Sequence, residues 1–157
     1  GNVAFGPKMR GLSKDEVARQ TEKYLELVGL SEFADSYPYE LSGGMKQRAA
    51  LARVLVNQPR MILMDEPLGA LDALTRANMQ GLIRRVWQET KSTIFFITHD
   101  VDEALSLATK VVVMSSRPGR IVMEQEIDFT DSADEDIRYS PEYKALRKDI
   151  LSKIDVS

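Results

Sequence analysis

The sequence has 157 residues, 43% of them hydrophobic and 29% charged, with 21 lysines and arginines set against 24 aspartates and glutamates. This is the composition of an ordinary globular domain with a buried core, and it excludes a disordered or fibrous chain. A formal net charge of −3 offers no general basic field for nucleic acid or anionic lipid. The absence of cysteine excludes disulfide frameworks and thiolate metal sites and fits a reducing compartment.

The longest apolar runs, Ile94-Phe95-Phe96-Ile97 and Val111-Val112-Val113-Met114, fall far below the roughly 20 residues that a membrane-spanning helix needs. The opening Gly1-Asn2-Val3-Ala4-Phe5-Gly6-Pro7 lacks the succession of a signal peptide, and its glycine start suggests a trimmed chain or a fragment.

Ser13-Lys14-Asp15-Glu16 reads as a capping box that opens a first helix, with Val17, Tyr24, Leu25 and Val28 at helical spacing and Gly29 as its left-handed stop. A short helical turn over Leu30 to Asp35 follows. Tyr37-Pro38-Tyr39-Glu40-Leu41-Ser42-Gly43-Gly44 then leads into a second helix running to Val56, capped by Ser42 and stopped by Asn57-Gln58-Pro59. From there apolar strands alternate with helices: Met61 to Met64, a helix with Met79, Leu82, Ile83 and Val86, Thr93 to Thr98, a helix from Val101 to Ala108, and Lys110 to Ser115. Continuous apolar strands separated by helices predict a parallel sheet covered on both faces. Arg117-Pro118-Gly119-Arg120 is a turn, and Ile121 to Ile127 is expected to return as an antiparallel strand. Asp131 to Asp136 reads as a solvated acidic linker, and Tyr143, Leu146, Ile150 and Ile154 outline a last amphipathic helix.

Two segments carry chemistry. Met61 to Glu66 is an apolar strand ending in adjacent carboxylates, an arrangement that can hold Mg²⁺ and position an attacking water at the C-terminal edge of a parallel sheet. Strand alternation would turn Asp65 and Glu66 to opposite sides and give them separate tasks. An acidic pair opening a helix before Pro67 is the plainer reading of that motif alone. Ser42, Gly43 and Gly44 at a helix start supply a hydroxyl and backbone amides where the helix dipole converges, which makes an anion site, or simply a flexible cap.

Leu41-Ser42-Gly43-Gly44, about twenty residues before Ile62-Leu63-Met64-Asp65-Glu66-Pro67, then Leu71-Asp72, then Thr98-His99-Asp100, resembles the ABC-transporter ATPase in order and spacing. The resemblance covers practically the whole chain. Ala70-Leu71-Asp72-Ala73-Leu74-Thr75-Arg76, the segment Val113 to Ile121, and Ser140-Pro141-Glu142-Tyr143 with Leu146-Arg147 look like the nitrate, sulfonate and taurine importer branch.

The resemblance implies an α/β fold: part of the P-loop NTPase core, with an incomplete parallel sheet flanked by helices, plus the helical signature subdomain. Residues 1–58 would form that subdomain, 59–128 the core portion, and 129–157 the acidic linker and C-terminal helix. It further implies ATP and Mg²⁺ as cofactors. Glu66 would be the general base or water-orienting carboxylate, Asp65 would hold Mg²⁺ through water, and His99 would contact the γ-phosphate and the attacking water. Ser42, Gly43, Gly44 and Gln47 would meet ATP held by the opposite subunit of a head-to-tail dimer, and Asp72 would communicate between the two subunits. Away from the resemblance, His99 after an apolar strand reads as a capping or core imidazole, and Asp72 as a helix cap.

The implied partners are a second ATPase subunit, transmembrane permease subunits docked on the segment from Ser13 to Tyr37 and, indirectly, a substrate-binding protein, with no nucleic acid. The place is the cytoplasmic face of the membrane, peripherally. The implied activity is ATP hydrolysis coupled to uptake of a small anion such as nitrate, sulfonate or taurine. The alternative is a non-catalytic interaction module that docks through residues 8 to 56.

The sequence departs from the family in one respect, because it contains no Gly-x-x-x-x-Gly-Lys-Ser/Thr. Asn2-Val3-Ala4-Phe5-Gly6 resembles the segment just after the family's Q-loop. The phosphate loop, the adenine-stacking aromatic and the Q-loop glutamine are therefore expected in a preceding portion, and this chain alone is expected to be inactive. The P-loop strand of the family lies between the strand ending at Thr98 and the strand from Lys110. A gap is expected there, relieved by oligomerisation or a distorted core.

Overall fold

The structure is a computed structural model that describes residues 1–127 and 138–154; the expected linker Asp131 to Asp136 lies outside the described residues. The chain divides into two compact units, Gly1–Phe95 and Phe96–Ser157.

The first unit opens with α1 (Phe5–Met9), a five-residue helix that the sequence pattern does not announce. It is held by packing: Pro7 is buried, and just past the helix the Arg10 guanidinium donates to the Val56 carbonyl at 3.0 Å. Helix α2 (Lys14–Leu27) starts where expected, with the Ser13 hydroxyl accepting from the Glu16 N–H. Val17, Tyr24, Leu25 and Val28 are buried, and Gly29 ends the helix region at φ +69°, a conformation only glycine adopts without steric cost. The expected turn after Leu30 is a 3₁₀ turn over Ser31–Phe33, and a second covers Pro38–Glu40. Helix α3 (Gly43–Leu55) packs against α2, and Leu51, Ala52 and Leu55 are buried along it. It stops before Pro59, with Gln58 at φ +51°.

Strand β1 (Met61–Asp65), helix α4 (Ala73–Thr90) and strand β2 (Thr93–Ile97) follow in the expected order. Ile62 is buried, as are Met79, Leu82, Ile83 and Val86 on α4, so the apolar stripe read from the sequence is the buried face. The reading of a sheet covered on both faces holds for one face only among the described residues. Leu63 is 75% exposed and Phe95 57% exposed, with Met61 and Ile97 also open, although period-2 alternation gives each strand an apolar residue on both sides.

The second unit contains α5 (Val101–Leu107), β3 (Lys110–Met114), β4 (Ile121–Glu126) and α6 (Pro141–Ile154). Strand β4 returns antiparallel to β3, as the sequence predicts, with Lys110 opposite Glu126, Val112 opposite Glu124, and an irregularity between Val113 and Met114. The turn between them is tied by the Ser115 hydroxyl, which donates to the Pro118 carbonyl at 2.7 Å and accepts from the Arg120 N–H at 3.0 Å. Val101, Leu105, Val111, Val113, Tyr143 and Ile150 lie in its core. Among the described residues the strands form two two-stranded sheets, β1–β2 and β3–β4.

Candidate functional site

The start of α3 is built by its own sequence. Ser42 sits in extended backbone at φ −63°, ψ 167°, and its hydroxyl oxygen accepts from the Met45 N–H at 3.3 Å. The hydroxyl proton is not used by that cap and can still be donated to a ligand. The two glycines have different surroundings. A Cβ on Gly43 would meet nothing within 4 Å, so this side of the helix start is open, whereas a Cβ on Gly44 would lie 2.7 Å from the Thr75 methyl carbon. Gly44 is thus required by close packing irrespective of any phosphate.

At the end of β1 the structure corrects the alternation argument. Asp65 is the last strand residue, but Glu66 has φ +44°, so its direction is set by a turn and not by the pleat. A left-handed conformation costs a non-glycine residue about 1–2 kcal/mol and persists where its surroundings over-determine it. Three features do so here. The Gly69 N–H donates to the Glu66 carbonyl at 3.3 Å, Leu68 is fully buried, and the Gln47 side-chain amide donates to the Pro67 carbonyl at 2.9 Å. Both carboxylates are exposed.

Asp72 caps α4, as its plainer reading anticipates. One carboxylate oxygen accepts from the Thr75 N–H at 3.0 Å and the other from the Thr75 hydroxyl at 2.6 Å. These bonds to Thr75, the side-chain one first, hold the Asp72 carboxyl below the usual carboxylate range. The first unit therefore links Gly44 through Thr75 to Asp72, and Gln47 to the turn that carries Glu66. Gln47 is half-buried and its amide is engaged with Pro67; the sequence gives no sign of this partner twenty residues away.

His99 belongs to the second unit, where it is exposed in a turn knitted on both sides. The Asp100 N–H donates to the Thr98 hydroxyl oxygen at 3.0 Å, and that hydroxyl donates to the buried Glu103 carboxylate at 2.7 Å. Asp100 caps α5, accepting from the Asp102 and Glu103 N–H groups at 2.8 and 3.1 Å. Helix α6 is clamped to α5 beside this turn: Tyr143 donates its hydroxyl to Asp102 at 3.0 Å and Arg147 donates to the same carboxylate at 2.9 Å. The Arg147 bond, ahead of that from Tyr143, lowers the Asp102 carboxyl. Burial, followed by the Asp102 bond, pushes the Tyr143 phenol up to about 12. Glu103 and the Asp102–Tyr143–Arg147 cluster escape sequence reasoning because their partners meet only in the folded unit.

Among the described residues no group of three or more His, Asp or Glu side chains could enclose a metal ion. A cavity of about 190 Å³ in the first unit, lined by residues such as Tyr24, Leu55, Pro59 and Thr90, includes none of Ser42, Gly43, Gly44, Gln47, Asp65, Glu66 and Asp72.

Residues 2–69 match the family model for the ABC transporter. The taurine import ATP-binding protein TauB of Roseobacter denitrificans is 51% identical across 98% of this chain and 59% of its own length. Its counterpart from Ruegeria pomeroyi is 50% identical over the same shares. Among solved structures, cbiO1 from Clostridium perfringens, described as part of the ABC transporter complex cbiONQ, superposes with a TM-score of 0.76 at 29% identity, covering 93% of this chain and 59% of that one. The chain spans about three fifths of the length of the relatives it matches. The expected α/β architecture, a partial P-loop NTPase fold, is the one observed. The chain is similar in sequence and fold to ABC transporter ATP-binding proteins, taurine import proteins among them, and its Ser42–Gly44 and Asp65–Glu66 segments occur without a P-loop sequence.

Proposed function

We propose that this chain is the portion of the ATP-hydrolysing subunit of an importer that carries the signature segment and the Asp65–Glu66 carboxylates, coupling ATP binding and hydrolysis to uptake of a small anion such as nitrate, a sulfonate or taurine. The observation that carries the reading is the strand-end pair Asp65–Glu66, with Glu66 held in a left-handed turn that costs folding energy and is braced from the signature helix. A docking module has no use for such a turn, which favours the enzyme reading over a non-catalytic interaction module.

In this reading Glu66 orients and deprotonates the attacking water. Asp65 holds Mg²⁺ through water, consistent with two hard oxygen donors at an open strand end and no closed protein cage, as Mg²⁺ usually binds through one or two carboxylates and substrate phosphates. His99 contacts the γ-phosphate. The open face at Ser42 and Gly43 fits a phosphate approaching from a second subunit, since a hydroxyl proton and helix-start amides converge there and no side chain obstructs them. Gly44 lies behind that face, and Asp72 sits at the subunit junction. Splitting the donors between subunits ties hydrolysis to closure of a head-to-tail dimer.

The partners are a second ATPase subunit, the permease subunits and, indirectly, a substrate-binding protein, at the cytoplasmic face. No helix among the described residues is long and apolar enough to cross a membrane. The exposed apolar sides of β1 and β2 support a further layer contributed by the remainder of a longer protein, and the chain by itself does not hydrolyse ATP.

The test is MgATP hydrolysis by the full-length protein with its permease subunits. Glu66→Gln should slow turnover by about a hundredfold or more, in line with loss of a general base, while nucleotide binding is retained. Unchanged turnover would remove Glu66 from the chemistry and leave the interaction-module reading in its place.

A further inference from the structure

Gly44 and Gln47 lie three residues apart and so share a face of α3. That face is turned toward the segment following β1. Gln47 donates to the Pro67 carbonyl at 2.9 Å, and Gly44 abuts the methyl of Thr75, whose hydroxyl and N–H are both bound to Asp72. We propose that Gln47 is a positioning residue for Glu66, linking the first turns of α3 to the strained turn at Glu66 within one subunit, so that a ligand settling on the helix start bears on the aim of the carboxylate. The proposal rests on the reading of Glu66 as the hydrolytic carboxylate.

Two features point to the donor bond as the reason for an amide here. The Gln47 carbonyl oxygen is buried with no hydrogen-bond partner among the described residues, a penalty that leucine or methionine at this position would avoid. Pro67, whose carbonyl it serves, directly follows Glu66, and Pro67 has no N–H through which the turn could be anchored instead. Removing the donor leaves the turn to relax from the left-handed conformation.

The experiment is steady-state ATP hydrolysis by the full-length protein in its permease complex, with thermal unfolding of each variant measured alongside. Gln47→Leu should lower kcat about tenfold while KM for ATP stays within about twofold, the pattern of a lost transition-state interaction. Gln47→Met, which keeps the stem and loses the donor, repeats the test should the leucine variant not fold. Gln47→Glu, which replaces the donor by an acceptor facing the Pro67 carbonyl, should lower kcat at least as far as Gln47→Leu.

A raised KM with unchanged kcat would make Gln47 a nucleotide contact and overturn the proposal. So would wild-type kinetics in Gln47→Leu, or in Gln47→Glu. A parent complex that fails to hydrolyse ATP overturns the functional reading itself, and with it the role of Gln47. An active parent with indifferent Gln47 variants overturns only that role.

Discussion

Gly44→Ala is the sharpest structural test of why the signature motif needs its second glycine. The added Cβ would lie 2.7 Å from the Thr75 methyl carbon, about 1 Å inside an ordinary carbon–carbon contact of roughly 3.5–4.0 Å. Thr75 cannot turn aside freely, because it is β-branched and its hydroxyl donates to Asp72 at 2.6 Å. Overpacking of this kind costs about 1–3 kcal/mol, and replacing a helical glycine by alanine returns about 0.5–1 kcal/mol. A net loss of about 1 kcal/mol, within a range of about 0–2.5 kcal/mol, is expected, read in urea unfolding as a lower midpoint at unchanged slope. Thr75→Ser keeps the hydroxyl and removes the methyl, so the double variant Gly44→Ala/Thr75→Ser should recover most of the loss, with a coupling of about 1 kcal/mol or more. A Gly44→Ala protein as stable as the parent, or a deficit that Thr75→Ser leaves intact, would refute the packing argument.

Ser42→Ala removes the hydroxyl that accepts from the Met45 N–H and should destabilise the protein by about 1 kcal/mol in the same unfolding assay. Asp102 titrates lower in the folded protein than its ordinary value because of Arg147 and Tyr143, so the stability it contributes is present above pH of about 4 and is lost as the pH falls through the depressed folded value. Melting temperatures measured between about pH 6 and pH 2 should therefore fall less steeply in Asp102→Asn than in the parent; parallel curves would remove the clamp from the account. Tyr143 behaves in the opposite sense. Its phenol is raised from 10.0 to about 12, so its contribution is intact below about pH 10 and disappears as the pH rises toward 12; an ultraviolet titration should show a late-ionising tyrosine that Tyr143→Phe abolishes.

The order of the elements was legible because each carries its own local signal. Ser13, Ser42, Asp72 and Asp100 are side chains that cap a helix a few residues away, and Val17 to Val28 and Met79 to Val86 repeat at helical spacing. Helix α1 was not legible, since five residues are too few for a periodic pattern and its support comes from Arg10 reaching Val56, 46 positions away. The candidate site divides along the same line. Ser42 as a cap and the strand leading to Asp65 follow from neighbours in sequence. The left-handed turn at Glu66 does not, because glutamate carries no preference for it and what holds it includes Gln47 from another element. The need for glycine at position 44 likewise depends on Thr75, 31 positions on, and the clamp of Tyr143 and Arg147 on Asp102 spans 41 and 45 positions. Contacts of that separation leave no mark in spacing or composition.

The central claim is that this chain holds the hydrolytic carboxylates and the donors for a neighbouring subunit's nucleotide, but not the loop that grips its own. Titration calorimetry of MgATP into the purified chain tests this most directly. The account predicts no saturable binding at nucleotide concentrations up to about 1 mM, because α3 offers one open helix start and the P-loop lysine and amides that cradle phosphate are not in the sequence. Saturable binding near 1 μM would contradict it, and would mean that Ser42 to Gly44 and the carboxylates together form a nucleotide site within the chain itself.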